Sequence, residues 1–443
     1  MSVPILDPSP PHPEPSRLAR WGITRSTSAL LLAILLIGMG QEIWAPFMGL
    51  YIKDSIALKP RIQNLLAGWG WSQSTVVLLA VGLFGTWKDF QEGVYYYLGG
   101  RIGGSLGTRR ALIAFAMLPL VGYGMILAWV SPIVAFAALP FIAAYDSISQ
   151  PATLTVIGDT LKAQHRTMAF SLQSIQRRIP RIIAYISGGA LVTALGSVGG
   201  VRAGVLASAA LVLLAVLIQA TMLRSDSKDN APRTAGYSLH LLARFHPELR
   251  KLLAADILAR VAEGMPRELF ILYAVASGTS AVGFGTFGIT AATFGQLLAV
   301  QAFVALLTYI PVGYIASRPG GQKKPFITLT FVFFAAFPLA FWWLGGQFGL
   351  WGLLLAYVIA GLREIGEPAR KAMITELLPG DARTAATGLY WAVRTFAVMP
   401  APIAGAIVWL AAGPAAVFIS ACAAGVLGAI AFAALFRRDV MTL

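Results

Sequence analysis

Charge is scarce in this chain. Asp, Glu, Lys and Arg make up only 12% of its 443 residues, about half the share of a soluble domain, and that shortage excludes an ordinary soluble globular protein. Cysteine is scarcer still. Cys422 is the only one and lies in an apolar stretch, so no internal disulfide or cysteine metal site can form, and the residue reads as a small buried hydrophobe. The four histidines, His12, His165, His240 and His246, fall outside the apolar stretches, which argues against a histidine-lined metal path. Gly99-x4-Gly104 lacks the Gly-Lys-Ser/Thr continuation of a nucleotide loop, so transport driven by ATP on this chain is not expected. No nucleophile–base constellation stands out. The sequence therefore predicts no catalytic residues, no metal and no cofactor.

What is abundant is apolar. Hydrophobic residues make up 57% of the chain, with mean hydropathy +0.72. Twelve stretches are long enough to span a bilayer, at about 27–51, 74–103, 110–129, 132–157, 167–195, 201–223, 252–276, 287–316, 325–344, 350–374, 384–410 and 414–436. The formal net charge of +15 could suggest nucleic acid, but its placement points elsewhere. The span interiors are read as holding eight basic residues (Lys88, Arg177, Arg178, Arg181, Arg260, Arg267, Arg363, Arg394) and eight acidic ones (Glu42, Asp89, Glu92, Asp146, Glu263, Glu268, Glu364, Glu367). The positive excess therefore sits in loops and tails. Arg101, Arg109, Arg110, Lys162, Arg166, Arg250, Lys251, Arg318, Lys323, Lys324, Arg383 and Arg437 follow even-numbered stretches or lie in the tails, whereas the opposite loops carry only Lys53, Lys59, Arg61 and Arg202. Positive charge marks the cytoplasmic side, so both termini are predicted to be cytoplasmic.

The expected organisation is a disordered cytoplasmic tail over 1–26, a six-helix bundle over 27–223, a cytoplasmic linker over 224–250 and a second bundle with a short tail over 251–443. The first apolar run follows Arg25 and continues to about Tyr51 with no small-residue cleavage pattern, so it reads as a retained helix rather than a signal peptide. In the linker, the residues from His240 to Arg250 suggest a short amphipathic surface helix.

Two patterns then converge. Stretches 3, 6, 9 and 12 carry no ionisable residue in their interiors, while stretches 1, 2, 4, 5, 7, 10 and 11 carry nearly all of them. Charge at bilayer depth survives where it faces protein or water, so this rhythm separates support helices from helices lining a polar path. The halves also repeat: Pro151, Asp159, Arg166 and Arg177 recur as Pro368, Glu376, Arg383 and Arg394, all 217 residues later, and Gly188 meets Gly405 in the same frame. Gly100-Arg-Ile-Gly-Gly-Ser-Leu-Gly107 parallels Gly313-Tyr-Ile-Ala-Ser-Arg-Pro-Gly320, and Glu42 with Pro46 is echoed by Glu263 with Pro266. An ordered set at a shared offset points to internal duplication.

From Thr27 to Phe436 the chain resembles the major facilitator superfamily, whose signature after the second span reads approximately Gly-x-Leu-x-Asp-Arg-x-Gly-Arg-Arg. Gly100, Gly107, Arg109 and Arg110 occupy matching places, whereas Gly104 stands where the family usually has Asp. The second copy has Ser317 there, followed by Arg318 and Gly320. The resemblance implies a cytoplasmic gate at Gly100, Gly107, Arg109, Arg110, Asp159 and Arg166, with the last two the nearest substitutes for the missing Asp. Drug-exporting branches carry Gly-Pro ahead of Gly-Gly in the fifth span. Here Ala184-Tyr185 precede Gly188-Gly189.

The resemblance also implies that stretches 1, 4, 7 and 10 line a central cavity. The candidate substrate-binding residues are Glu42, Asp146, Arg260, Glu263, Arg267, Arg363, Glu367 and Arg394. Positions 260, 263 and 267 share a helical face, as do 363 and 367. Candidates for proton coupling are Glu42, Glu263 and Asp89, since a carboxylate in a low-dielectric cavity can titrate near physiological pH. Against this, Glu263 can be locked to Arg260 or Arg267 as a fixed pair, whereas Glu42 has no basic neighbour on its own stretch. Lys88 can pair with Glu92, leaving Asp89 to meet the other half near Arg394. Arg177 and Arg394 are expected to reach the cavity and, with Arg260 and Arg363, to hold an anionic group; the alternative is that the arginines neutralise Asp89, Glu92, Asp146 and Glu364. Trp44, Trp69, Trp71, Trp129, Trp342, Trp343 and Trp351 read as interfacial anchors, with Trp44 and Trp391 near the charged positions.

The expected fold is thus an all-α integral membrane protein of twelve transmembrane helices in two pseudo-symmetric six-helix bundles. The expected function is secondary active transport of a small polar or amphiphilic organic solute across a bacterial inner membrane. The mechanism would be alternating access, coupled to an ion gradient of protons, by a monomer whose partners are its substrate, the proton and membrane lipid, with no nucleic acid. A non-transporting sensor or scaffold of the same fold is the rival reading.

Overall fold

Inside a bilayer each backbone amide must find its partner within its own segment, so long apolar stretches fold as helices. A computed structural model describes residues 25–59, 68, 70–102, 109–160, 163–222, 239–276, 283–318 and 321–436, with the backbone alone for 25–31, 102, 109–112, 146, 149–160, 163–166, 169 and 239. In chain order the helices are α1 (Arg25–Trp44), α2 (Met48–Ala57), α3 (Gln73–Ile102), α4 (Arg109–Ala128), α5 (Pro132–Thr160) and α6 (Ala163–Met222) in the first half. The second half contains α7 (Pro247–Arg267), α8 (Phe270–Ala274), α9 (Ala291–Ala316), α10 (Lys324–Leu362), α11 (Glu367–Leu377), α12 (Arg383–Val398), α13 (Ala401–Ala412) and α14 (Pro414–Leu435). Among the described residues, extended pairing is confined to a single bridge, Val275 to Ile289.

Among the described residues, six helical segments are long and apolar enough to cross a membrane: Leu32–Ala57, Phe170–Met222, Ala291–Ala316, Lys324–Leu377, Gly380–Ala412 and Pro414–Leu435. Two of them, at 53 and 54 residues, would run about 80 Å if straight, far beyond a hydrocarbon core of about 30 Å. They double back instead. Gly196 (φ 72°, ψ 170°) breaks α6, and Gly349 (φ 56°, ψ −129°) breaks α10. The reversal at Gly196 recurs 217 residues later at Gly413, with φ 84° and ψ 172°, between α13 and α14. This backbone region is open to glycine and costly for side-chain-bearing residues, so the repeat is written into the turns as well as the charges.

The duplication is also visible where the halves meet. α6 packs along α9, and α3 along α12 and α13. Gly82 of α3 lies against Pro402 and Ala406, and its counterpart Gly295 of α9 lies against Tyr185 and Gly189. The partners are themselves related by the 217-residue offset. Gly100 meets Gly388, and Gly313 meets Ser171, again a pair exchanged by the repeat. Small residues at these crossings let backbones approach closely.

Aromatic contacts join the bundles at different levels along their length. Phe47 meets Phe294 with ring centroids 6.4 Å apart, while Phe90 meets Phe396 at 6.0 Å and Tyr96 meets Trp391 at 6.1 Å. The first pair is joined to the larger apolar core, which draws on both halves, and Tyr96 with Trp391 to a second core. The linker differs from its sequence expectation: Leu239–Arg244 is a 3-10 turn, and Leu241 and Phe245 are buried in the second core, so apolar anchoring ties its end to the second half. Nearby, Arg244 forks onto Asp381 at 2.9 and 2.7 Å and holds that carboxyl below its ordinary pKa.

Gly188 and Gly405 sit against the carbonyls of Ile43 in α1 and Met265 in α7. A Cβ at either position would strike backbone that cannot yield. Gly188→Val is therefore expected to cost about 1–3 kcal/mol through overpacking and to lower the melting temperature of the detergent-solubilised protein. Gly38→Ala, where the added methyl meets open space, is expected to leave it unchanged.

Candidate functional site

The helices that break do so beside charge. α1 gives way to a 3-10 turn at Ala45–Phe47, just after Glu42 and around Pro46. α7 ends at Arg267 after Pro266 and is followed by Glu268 before α8. α10 ends at Leu362, and Arg363 to Gly366 form a turn before α11 starts at Glu367. The Gly366 amide freed there donates to Thr330 Oγ1 at 2.7 Å. Irregular backbone at membrane depth is tolerated where it lines a cavity, and these breaks surround one.

The cavity has two chambers between the bundles. One of about 300 Å3 is lined by Glu42, Lys88, Asp89, Glu92, Arg181, Arg260, Glu263, Arg267 and Arg394 among others. The other, of about 370 Å3, is lined by Arg177, Arg178, Tyr185, Gln301, Tyr309, Arg363, Glu364, Glu367 and Lys371, and shares Glu42, Arg181, Arg260, Glu263 and Arg267 with the first. Among the described residues, nine basic and six acidic side chains line the pair of chambers.

Among the described residues, three ion pairs cross between the halves. Arg178 of α6 reaches Glu364 at 2.9 Å and donates to the Tyr309 hydroxyl at 3.3 Å. Arg267 reaches Asp89 of α3 at 2.8 Å, and Lys88 approaches Glu268 at 3.9 Å. Within the first half, Arg181 pairs with Glu42 at 2.8 Å. Within the second, Arg260 contacts Glu263 at 2.7 Å and Glu367 at 3.4 Å, and Arg363 contacts Glu263 at 3.1 Å. Arg370, only 1% exposed, bridges Asp256 and Glu367, each at 2.5 Å. The guanidiniums of Arg260 and Arg363 lie over Phe334, 4.8 and 5.2 Å from the ring centroid, and Arg394 lies 4.0 Å over Trp391, where an aromatic face attracts a cation.

Most candidates from the sequence meet in this one place. Glu42, Arg260, Glu263, Arg267, Arg363, Glu367, Arg394 and Asp89 all line it. The side chain of Asp146 lies outside the described residues. So do those of the gate positions Arg109, Arg110, Asp159 and Arg166, and all of Gly107; of the six gate positions, Gly100 is fully described, packed on Gly388.

Several pairings differ from the sequence expectation. Asp89 meets Arg267 rather than Arg394, because α7 rather than α12 presents a guanidinium to its face of α3. Arg394 instead approaches Asp256 at 3.6 Å. Lys88 turns to Glu268, and Glu92 accepts from the Tyr96 hydroxyl at 2.7 Å. Glu42 has a basic partner after all, supplied by α6. Trp44 is buried against Tyr123 rather than placed at an interface.

Sequence reasoning passed over Asp256, Arg370 and Lys371, although all three fall inside the stretches assigned above. Asp256 was readable one turn before Arg260, on the same face. Tyr309 carries no charge and left no signal.

The family model of the Major Facilitator Superfamily matches residues 269–442. A search of curated protein sequences returned no match. Among solved structures, the chain is similar to the human organic anion transporter MFSD10 (TETRAN), with 15% identity, a TM-score of 0.69, and 92% of this chain and 99% of that chain covered. It is also similar to an auto-inhibited POT family peptide transporter (12% identity, TM-score 0.65, 95% and 98% covered) and to the nucleoside transporter NupG (13%, 0.61, 94% and 100%). At such identities the likeness is one of fold, and it spans both halves. The second half thus matches the Major Facilitator Superfamily, and the shared fold runs from end to end.

Proposed function

We propose that this integral membrane protein is a secondary active transporter that moves a small solute through the central cavity by rocking its two halves against each other. The observation that carries this reading is the cavity itself: it lies between the halves, is lined by charge from both, and is bordered by three broken helices. Rocking requires contacts that can be exchanged. Arg178–Glu364 and Arg267–Asp89 cross the seam, while Glu42–Arg181 and Glu263–Arg260 stay within one half. A solute or proton that competes for one partner of a crossing pair biases the open-in and open-out states.

In this proposal the chain crosses the membrane twelve times, counting α6 and α10 with α11 as two passes each, with both termini in the cytoplasm. Chain order supports that orientation. Trp71, Trp129 and Trp351, all exposed, fall at turns on one side, and the basic residues Arg101, Arg318, Lys324 and Arg383 fall on the other. Short loops suit a bacterial inner membrane. The structurally similar proteins are an organic anion transporter, a peptide transporter and a nucleoside transporter, which supports a small polar organic solute here. Glu42, Glu263 and Asp89 are the proposed proton-coupling carboxylates, and Glu42 is preferred because a single Arg holds it while Arg260 and Arg363 both hold Glu263.

Two measurements follow. In proteoliposomes, Glu42→Gln is expected to abolish uphill, gradient-driven flux while sparing solute exchange; full uphill flux by that variant removes Glu42 from the coupling role. In a Cys422→Ser background, a cysteine at Ser72 is expected to react with an impermeant maleimide from outside the cell, and one at Ser225 only after permeabilisation. The reverse pattern inverts the topology.

A further inference from the structure

The second chamber is short of acid. Among the described residues, six bases in and beside it, Arg178, Arg260, Arg363, Arg370, Arg394 and Lys371, are within ion-pair distance of only four carboxylates: Asp256, Glu263, Glu364 and Glu367. Counting Asp146 with the acids still leaves six bases to five. Each carboxylate is divided. Glu364 serves Arg178 and Arg363, Glu263 serves Arg260 and Arg363, and Glu367 serves Arg260, Arg370 and Lys371. The donors are not used up either: the buried Nε atoms of Arg260 and Arg363 have no hydrogen-bond partner. Buried positive charge without a counter-charge is costly, and a guanidinium with free donors suits a carboxylate or phosphate.

We propose that this chamber binds a small organic anion, its carboxylate or phosphate seated against Arg178, Arg363 and Lys371 and its organic remainder lying along Tyr185 and Tyr309. The inference deepens the transport reading by naming a substrate class. It also gives the anion a mechanical consequence. An anion on Arg178 competes with Glu364 for a guanidinium that bridges the halves, so binding loosens a crossing pair while replacing its charge.

The test is thermal melting of the purified full-length protein, titrated with succinate, citrate and glucose 6-phosphate, with choline and glucose as cationic and neutral controls. At least one anion is expected to raise the melting temperature saturably, and the controls are not. Comparing the carboxylates with the sugar phosphate tells which anionic group is preferred. Arg363→Gln and Lys371→Gln are expected to raise the apparent Kd of that anion at least tenfold. Their melting without ligand should be close to that of the parent, because Glu263 keeps Arg260, Glu364 keeps Arg178 and Glu367 keeps Arg370.

The absence of any anion-induced shift, a shift from choline or glucose instead, or an anion affinity indifferent to both substitutions overturns the proposal. Liposome flux separates this failure from that of the transport reading. Anion binding without flux of any solute sinks transport and keeps the site, whereas flux of a neutral or cationic solute without anion binding does the reverse.

Discussion

An ionised side chain taken out of water needs a partner close enough to replace its hydration, and one carboxylate rarely satisfies two guanidiniums fully. That constraint organises the centre of this protein. Asp89 is 2% exposed, and its attraction to Arg267 docks α3 against α7 across the seam. Arg178 docks α6 against the break between α10 and α11 through Glu364. Because charge cannot be abandoned there, any movement that separates the halves at these points must hand each ion to water, to a solute or to another side chain. In the proposed mechanism these pairs act as contacts to be exchanged as well as contacts that hold.

Symmetry and asymmetry divide the labour. The close glycine contacts come in matched sets: Gly82 with Ala406 and Gly295 with Gly189, Gly100 with Gly388 and Gly313 with Ser171. They give the two halves equivalent rails on both sides of the cavity. The charges do not follow the same rule. The position 217 residues after Arg178 is Thr395, and the position 217 before Glu364 is Ser147, so the Arg178–Glu364 bridge has no twin. The packing frame is therefore symmetric, while this bridge between the halves is not.

The frame was legible in the chain because its signals are local or periodic. Hydropathy marked the stretches, the 217-residue offset marked the repeat, and the expected boundaries near 195–201, 344–350 and 410–414 agree with reversals at Gly196, Gly349 and Gly413. The convergence of Glu42, Arg260, Glu263 and Arg363 followed from charge at bilayer depth. Which acid meets which base did not. Spacing of three or four residues shows only neighbours on one helix, and it suggested Lys88 with Glu92. The observed partners, Glu268 for Lys88, Arg267 for Asp89 and Arg181 for Glu42, depend on how separate helices dock. That distance is set by packing far along the chain, and no single segment encodes it.

The claim that crossing ion pairs govern motion between the halves is most directly tested at Arg178 and Glu364, by reversing each charge alone and then both together and measuring solute flux in proteoliposomes. The account predicts that Arg178→Glu and Glu364→Arg each abolish flux and that the double reversal restores a substantial part of it. Single reversals that transport normally, or a double reversal as inactive as either single, would contradict it.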